Sequence, residues 1–209
     1  MTKGSFYKKS LLLYNERNLM PQRRADYMGN YERSLREKSI VFVGFMGVGK
    51  TTIGKLVAKK LYRDFVDTDE ESEKEFGMPT TKIFETLGEK TFRDKERSLI
   101  VGLSEQPLKV ISLGGGAFLN ENIRKACLKN CIVLFLDLSF ANWKERMWLL
   151  IDSRPILQNK SLQQIEALYN SRQSAYAHHH SKVVLDQMNA EEVSDYIVES
   201  LKLAWELHN

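Results

Sequence analysis

Residues 44–51 read Gly-Phe-Met-Gly-Val-Gly-Lys-Thr, which has the form G-x-x-x-x-G-K-[ST]. No other stretch restricts the fold as much. Such a loop must be delivered by a strand and received by a helix, because its backbone N–H groups converge on a phosphate at a helix N-terminus. Both flanks are present. Ile40-Val-Phe-Val43 is apolar and β-branched, as a buried strand requires. Ile53, Leu56, Val57 and Leu61 then recur at helical spacing from Lys50 onward. The motif predicts a phosphate cradle of Gly47, Val48, Gly49, Lys50, Thr51 and Thr52. In it Lys50 reaches the β- and γ-phosphates and Thr51 presents its hydroxyl to Mg²⁺.

The segments that follow alternate between short apolar runs and amphipathic ones. Strands are expected at Arg63–Asp67, Val110–Leu113, Cys131–Leu138 and Lys182–Asp186. Helices are expected at Glu70–Phe76, Thr80–Leu87, Glu89–Ser104 beyond a break at Gly88, Asn120–Asn130, from Ser139, over Ser161–His178, and from Asn189 or Ala190 to about Trp205. Alternation of this kind predicts a doubly wound α/β domain, its sheet parallel and covered on both faces, with ligands at the carboxyl edge.

Charge is unevenly placed. Residues 1–38 hold nine Lys/Arg against four Asp/Glu, whereas the remainder is almost balanced. We therefore divide the chain into a basic extension, 1–38, with a helix near Tyr31–Lys38, and a single folded domain, 39–209. A near-neutral body argues against nucleic acid as a partner. Two cysteines, Cys127 and Cys131, are too few for a disulfide framework and read as core or near-surface thiols. With no signal peptide in view and no apolar run long enough to span a bilayer, a cytoplasmic protein with no membrane partner is expected. His178-His-His180 reads as a helix C-terminal cap or an exposed run rather than a metal site.

Several residues fall at the edge where a ligand would bind. Asp67 and Asp69 close the second strand; one suits a Mg²⁺ water shell and the other proton acceptance, although a helix cap explains the pair equally well. Gly114–Gly116 ends the third strand, either as a close backbone approach or as a plain turn. Arg154 lies in a polar stretch between helices, suited to a lid over a phosphoryl group or to solvent alone. Arg172 shares a stripe with Ile165, Leu168, Tyr169 and Tyr176, so it needs an anion, from the protein or from a ligand. Arg93 reads locally as a surface pair at helical spacing.

Taken in order, these motifs resemble the shikimate kinase family. The series runs through Gly44–Thr51, Asp67 and Asp69, Phe92-Arg-Asp-Lys-Glu96, Gly114–Gly116, Arg154-Pro-Ile156 and Arg172-Gln-Ser-Ala-Tyr176, and covers about residues 39–205. The resemblance implies a P-loop kinase fold with five strands ordered 2-3-1-4-5, substrate-binding helices over about 67–105 and a mobile lid over about 150–162. It implies ATP-dependent phosphorylation of the 3-hydroxyl of shikimate, on the chorismate route to aromatic amino acids, by a monomer using Mg²⁺. By resemblance, Lys50, Asp69 and Arg154 are catalytic. Asp69, Arg93, Gly114, Gly115, Gly116 and Arg172 hold shikimate, and Thr51 and Asp67 serve the metal, Asp67 through water. The family often has an adenine-stacking arginine seven residues before the lid arginine; that place is Met147 here, with Arg146 beside it. A non-catalytic nucleotide-dependent module would be favoured by loss of Lys50, Asp69 or Arg154, and all are present. A gluconate-type kinase is disfavoured by the Asp67/Asp69 pair together with Arg93 and Glu96.

Overall fold

Four consecutive buried residues, Ile40–Val43, form β1. A strand with no exposed side chain must be covered on both faces. The remaining strands are β2 (Asp64–Asp67), β3 (Lys109–Ser112), β4 (Ile132–Asp137) and β5 (Ser181–Val184). All four pairings are parallel, in the order β2-β3-β1-β4-β5. This is the expected doubly wound sheet, in the order that the family resemblance implies. The computed structural model describes residues 33–147, 157 and 160–208. Residues 1–32 of the basic extension lie outside that range, as does most of the expected lid, Arg154 included.

Burial follows position in the sheet. β4 carries five buried residues in succession, while edge strand β5 alternates buried Ser181 and Val183 with exposed Lys182 and Val184. The helices are α1 (Lys50–Leu61), α2 (Thr68–Phe76), α3 (Thr80–Ser104), α4 (Glu121–Asn130), α5 (Phe140–Arg146), α6 (Leu162–Tyr176) and α7 (Ala190–Leu207). Their starts are chemically marked. Asn120, Ser139, Ser161 and Asn189 each accept a backbone N–H from the first turn that follows. Gly88, at φ 80° and ψ 154°, breaks α3 into the two runs expected. Lys60 ties α1 to α7 through Glu191 at 2.7 Å and Asp195 at 2.6 Å. Among the described residues no helix is long and apolar enough to cross a membrane.

Two local expectations need correction. The described part of the helix expected near Tyr31–Lys38 is one turn, in which Glu37 N and Lys38 N both donate to Ser34 O. Ser39 then stops it, bonding Gln106 O through its hydroxyl and accepting from Lys109 N, which feeds the chain directly into β1. The three histidines also do not behave alike. His178 and His179 place Nδ1 at 3.2 Å from Ser174 O and 2.7 Å from Tyr176 O, the expected C-terminal cap of α6. His180 instead joins the sheet: Val133 N donates to its Nδ1 at 2.9 Å, and its own N–H donates to Val133 O at 2.9 Å. Both cysteines are buried in the core, where burial pushes the Cys131 thiol up to about 12.

Burial, reinforced by Lys38 and His179, lowers the His180 pKa from 6.5 to about 4. A lowered value means that the unfolded chain binds more protons than the folded one in that window. The stabilisation is complete above the unfolded value and is lost as pH falls through the folded one. Urea unfolding should therefore show this ring contributing at most about 3 kcal/mol of lost stability between pH 7 and pH 4. His180→Gln, which keeps an acceptor but does not titrate, should remove that part of the slope. An unchanged pH dependence in the variant contradicts the assignment.

Candidate active site

The phosphate loop leaves β1 by a path open only to glycine. Gly44 has φ 146°, and a Cβ built there would stand 2.5 Å from Leu136 O on β4. The loop runs into α1, whose amino end no side chain caps. Uncapped N–H groups and the positive end of the helix dipole suit an anion. Val48 is buried beneath the loop, Thr51 is half-buried and Thr52 is exposed. Lys50 is buried, and its Nζ donates to Gly44 O at 2.9 Å and Phe45 O at 3.0 Å. Its ammonium is thus held against the loop, within reach of whatever the loop encloses.

One carboxylate joins this loop to the second strand. Asp67 Oδ2 accepts from the Thr51 hydroxyl at 2.6 Å, and Oδ1 accepts from Asp69 N at 3.0 Å. Asp67 is therefore a cap for α2, one of the two readings open in the sequence, and also a partner of the P-loop threonine. Asp69 faces the third strand's glycines. A Cβ on Gly114 would lie 2.3 Å from Asp69 Oδ1 and 3.5 Å from Glu96 Oε1, which leaves no room there for a side chain. Gly114 N donates to the Thr68 hydroxyl at 3.0 Å, pinning the glycine run to α2.

The two arginines converge. A Cβ on Gly116 would lie 3.6 Å from Arg93 Nη2 and 4.0 Å from Arg172 Nη2. Arg93 makes the helical pairs expected of it, with Glu96 at 2.8 Å and Glu89 at 3.3 Å, yet those pairs aim it into the cleft. Glu96 is buried at 3% exposure. Burial pushes its carboxyl above the ordinary range, Arg93 pulls it back, and Asp69 adds to the upward push. Arg172 is 6% exposed, donates from Nη1 to Gly115 O at 3.0 Å and lies 5.4 Å from the centre of the Phe45 ring. Its Nε is buried without a partner, and among the described residues no carboxylate lies within ion-pair distance. The structural ion pair left open in the sequence is therefore absent from that range.

Three contributors carry no role in the sequence reading. Glu96 aims Arg93, a relation its i+3 spacing could have suggested. The Tyr176 hydroxyl donates to Gly115 O at 2.5 Å, the oxygen that Arg172 also engages, and burial pushes that phenol up to about 12. Trp143 is fully buried and donates from Nε1 to Met46 O at 2.7 Å. Of the two adenine-side candidates, Arg146 is exposed and Met147 packs partly buried on the core. Arg146 lies near Asp186, which accepts from Asn142 Nδ2 at 2.7 Å and Ser139 N at 3.0 Å.

The arrangement provides a phosphate cradle with a lysine, an adjoining hydroxyl–carboxylate pair, a second carboxylate across the cleft, and two guanidinium groups beyond it. The family model for shikimate kinase matches residues 46–202. Shikimate kinases of Oceanobacillus iheyensis and Bacillus subtilis are 58% and 54% identical over 174 and 175 residues, 83% of this chain and 95% and 94% of theirs. Among solved structures, a shikimate kinase from Acinetobacter baumannii in complex with shikimate aligns with a TM-score of 0.75 at 31% identity, covering 82% of this chain and 96% of that one. A gluconokinase from Sinorhizobium meliloti, at 17% identity and a TM-score of 0.52, shares the fold alone.

Proposed function

Since the chain belongs to the shikimate kinase family, we propose that its cleft transfers the terminal phosphoryl group of ATP to the 3-hydroxyl of shikimate. The products are shikimate 3-phosphate and ADP, on the chorismate route to the aromatic amino acids. A bond forms between the shikimate oxygen and the γ-phosphorus, the bond from that phosphorus to ADP breaks, and Asp69 receives the hydroxyl proton. Lys50 and the N–H groups of residues 47–52 neutralise and orient the phosphates, which is most of what phosphoryl transfer asks of a protein. Arg154 is assigned to the transferring group and Arg146 to the nucleotide side. Thr51 and Asp67 offer two hard oxygen donors 2.6 Å apart, which fits Mg²⁺ held partly through water. When bound, the ion neutralises phosphate charge. Nothing in this reaction requires a second subunit or a nucleic acid, and we assign it to a cytoplasmic monomer.

One observation supports the acceptor more than any other: two guanidinium groups meet over Gly116 while Asp69 stands at Gly114. Guanidinium forks match carboxylates, and a required anion beside a reactive hydroxyl describes a hydroxy acid. Without that carboxylate Arg172 stays buried with only neutral partners, which costs more than the lost attraction. The wild-type enzyme should therefore turn over shikimate methyl ester at least about a hundredfold less efficiently in kcat/KM than the acid. Coupled ADP release with shikimate, its ester and gluconate measures this. Equal turnover of acid and ester rules out the arginine clamp.

The basic extension takes no part in the proposed chemistry, because every residue named lies within 39–209. Leu35 packs against the core, and the carbonyls of Arg36 and Lys38 accept from Arg63 at 2.5 and 2.8 Å, so a truncation that tests the extension stops short of them. Removal of residues 1–34 should leave kcat and both KM values within about twofold, since every residue given a role lies beyond them. Loss of turnover in the shortened chain contradicts that boundary.

A further inference from the structure

Met46 is the third residue of the phosphate loop, and its carbonyl is held from outside. The donor is Trp143 Nε1 at 2.7 Å, a contact spanning 97 positions of sequence. The indole is 0% exposed. It sits edge-on to Phe45 at 5.1 Å and stacks on Phe140 at 5.8 Å, so its N–H has one direction available. Peptide geometry converts that bond into a constraint on the next residue. In a trans peptide the C=O and the following N–H lie on opposite sides, and no described peptide is cis. With the Met46 C=O held by α5, the Gly47 N–H is turned away from that helix.

We propose that Trp143 is a positioning residue for the nucleotide: its indole N–H orients the Met46–Gly47 peptide so that the Gly47 N–H donates to a bound phosphate. The inference rests on assigning residues 44–51 to the nucleotide phosphates. It adds a residue outside the motif, brought from the helix that precedes the expected lid. A backbone donor aimed in advance contributes without reorganisation when the anion arrives. Released from Trp143, the peptide can rotate, and Gly47 then offers its N–H to phosphate in only part of the population. The bond contacts neither Arg172 nor Asp69, and a replacement of the same shape keeps Trp143 packed on Phe45, the ring beneath Arg172, so loss of the N–H alone leaves acceptor binding in place.

The test replaces the N–H without changing the shape. Trp143→3-benzothienylalanine in the full chain puts sulfur where the indole nitrogen stands, and Trp143→Phe serves as a second variant should the first fold poorly. Calorimetric titration with ADP and, separately, with shikimate gives both dissociation constants. The ADP constant should rise about fivefold, the size expected of one neutral hydrogen bond, with the shikimate constant within about twofold of wild type. An unchanged ADP constant, or an equal loss for both ligands, overturns the positioning role. A wild-type chain that binds no ADP overturns the nucleotide assignment itself.

Discussion

The Asp67 carboxylate spans the two halves of the cleft. One oxygen holds the Thr51 hydroxyl at the start of α1, and the other holds Asp69 N at the start of α2. Both helices therefore begin from one rigid group at the carboxyl end of β2. That end of a parallel sheet is where an open α/β fold leaves a crevice. The phosphate loop and Asp69 come from different β–α units, and the shared carboxylate sets their separation. Everything further along the acceptor side follows: Asp69 meets Gly114, the glycine run bends around it, and Gly116 falls between the two arginines.

The side assigned to the acceptor holds a buried guanidinium with no carboxylate partner among the described residues. Arg172 is buried with one neutral carbonyl partner, an aromatic ring and an unpartnered Nε. A ring face contributes only about 0.5–2 kcal/mol to a cation, well short of a desolvated carboxylate. Arg93 is better provided, since Glu96 and Glu89 hold it, but those bonds leave Nη2 within reach of Gly116. Glu96 bears the cost of that arrangement through its own burial. A ligand carboxylate between the guanidinium groups would offset part of the charge that the protein leaves exposed to low dielectric. This is a physical reason for the family's substrate to be an acid.

Much of the fold was legible because its signals are local. The run Ile40–Val43, the helix starts near Asn120, Ser139, Ser161 and Asn189, and the break at Gly88 are each decided by a few neighbours along the chain. Motif order placed Lys50, Thr51, Asp67, Asp69 and Gly114–Gly116 at one sheet edge, and the inward stripe of α6 foretold that Arg172 would be buried. What escaped is long-range. Trp143 to Met46 and Tyr176 to Gly115 join positions far apart, and both end on backbone carbonyls, which leave no mark in side-chain identity. His180 was missed for the same reason, since only the register of β4 beside β5 brings Val133 to its ring. The turn at 34–38 falls in the stretch expected to be helical near Tyr31–Lys38; Ser39 decides otherwise through partners about seventy residues away.

The proposed transfer depends on Asp69 as the group that takes the acceptor's proton. The direct measurement is single-turnover phosphorylation of shikimate by Asp69→Asn, with ATP affinity measured in parallel. Asparagine keeps the shape and the cap, and it removes the basic oxygen. The account predicts a fall in the transfer rate of about 10²–10⁴-fold with ATP affinity unchanged. A transfer rate within a few-fold of wild type would contradict it and leave Asp69 a helix residue beside a phosphate loop.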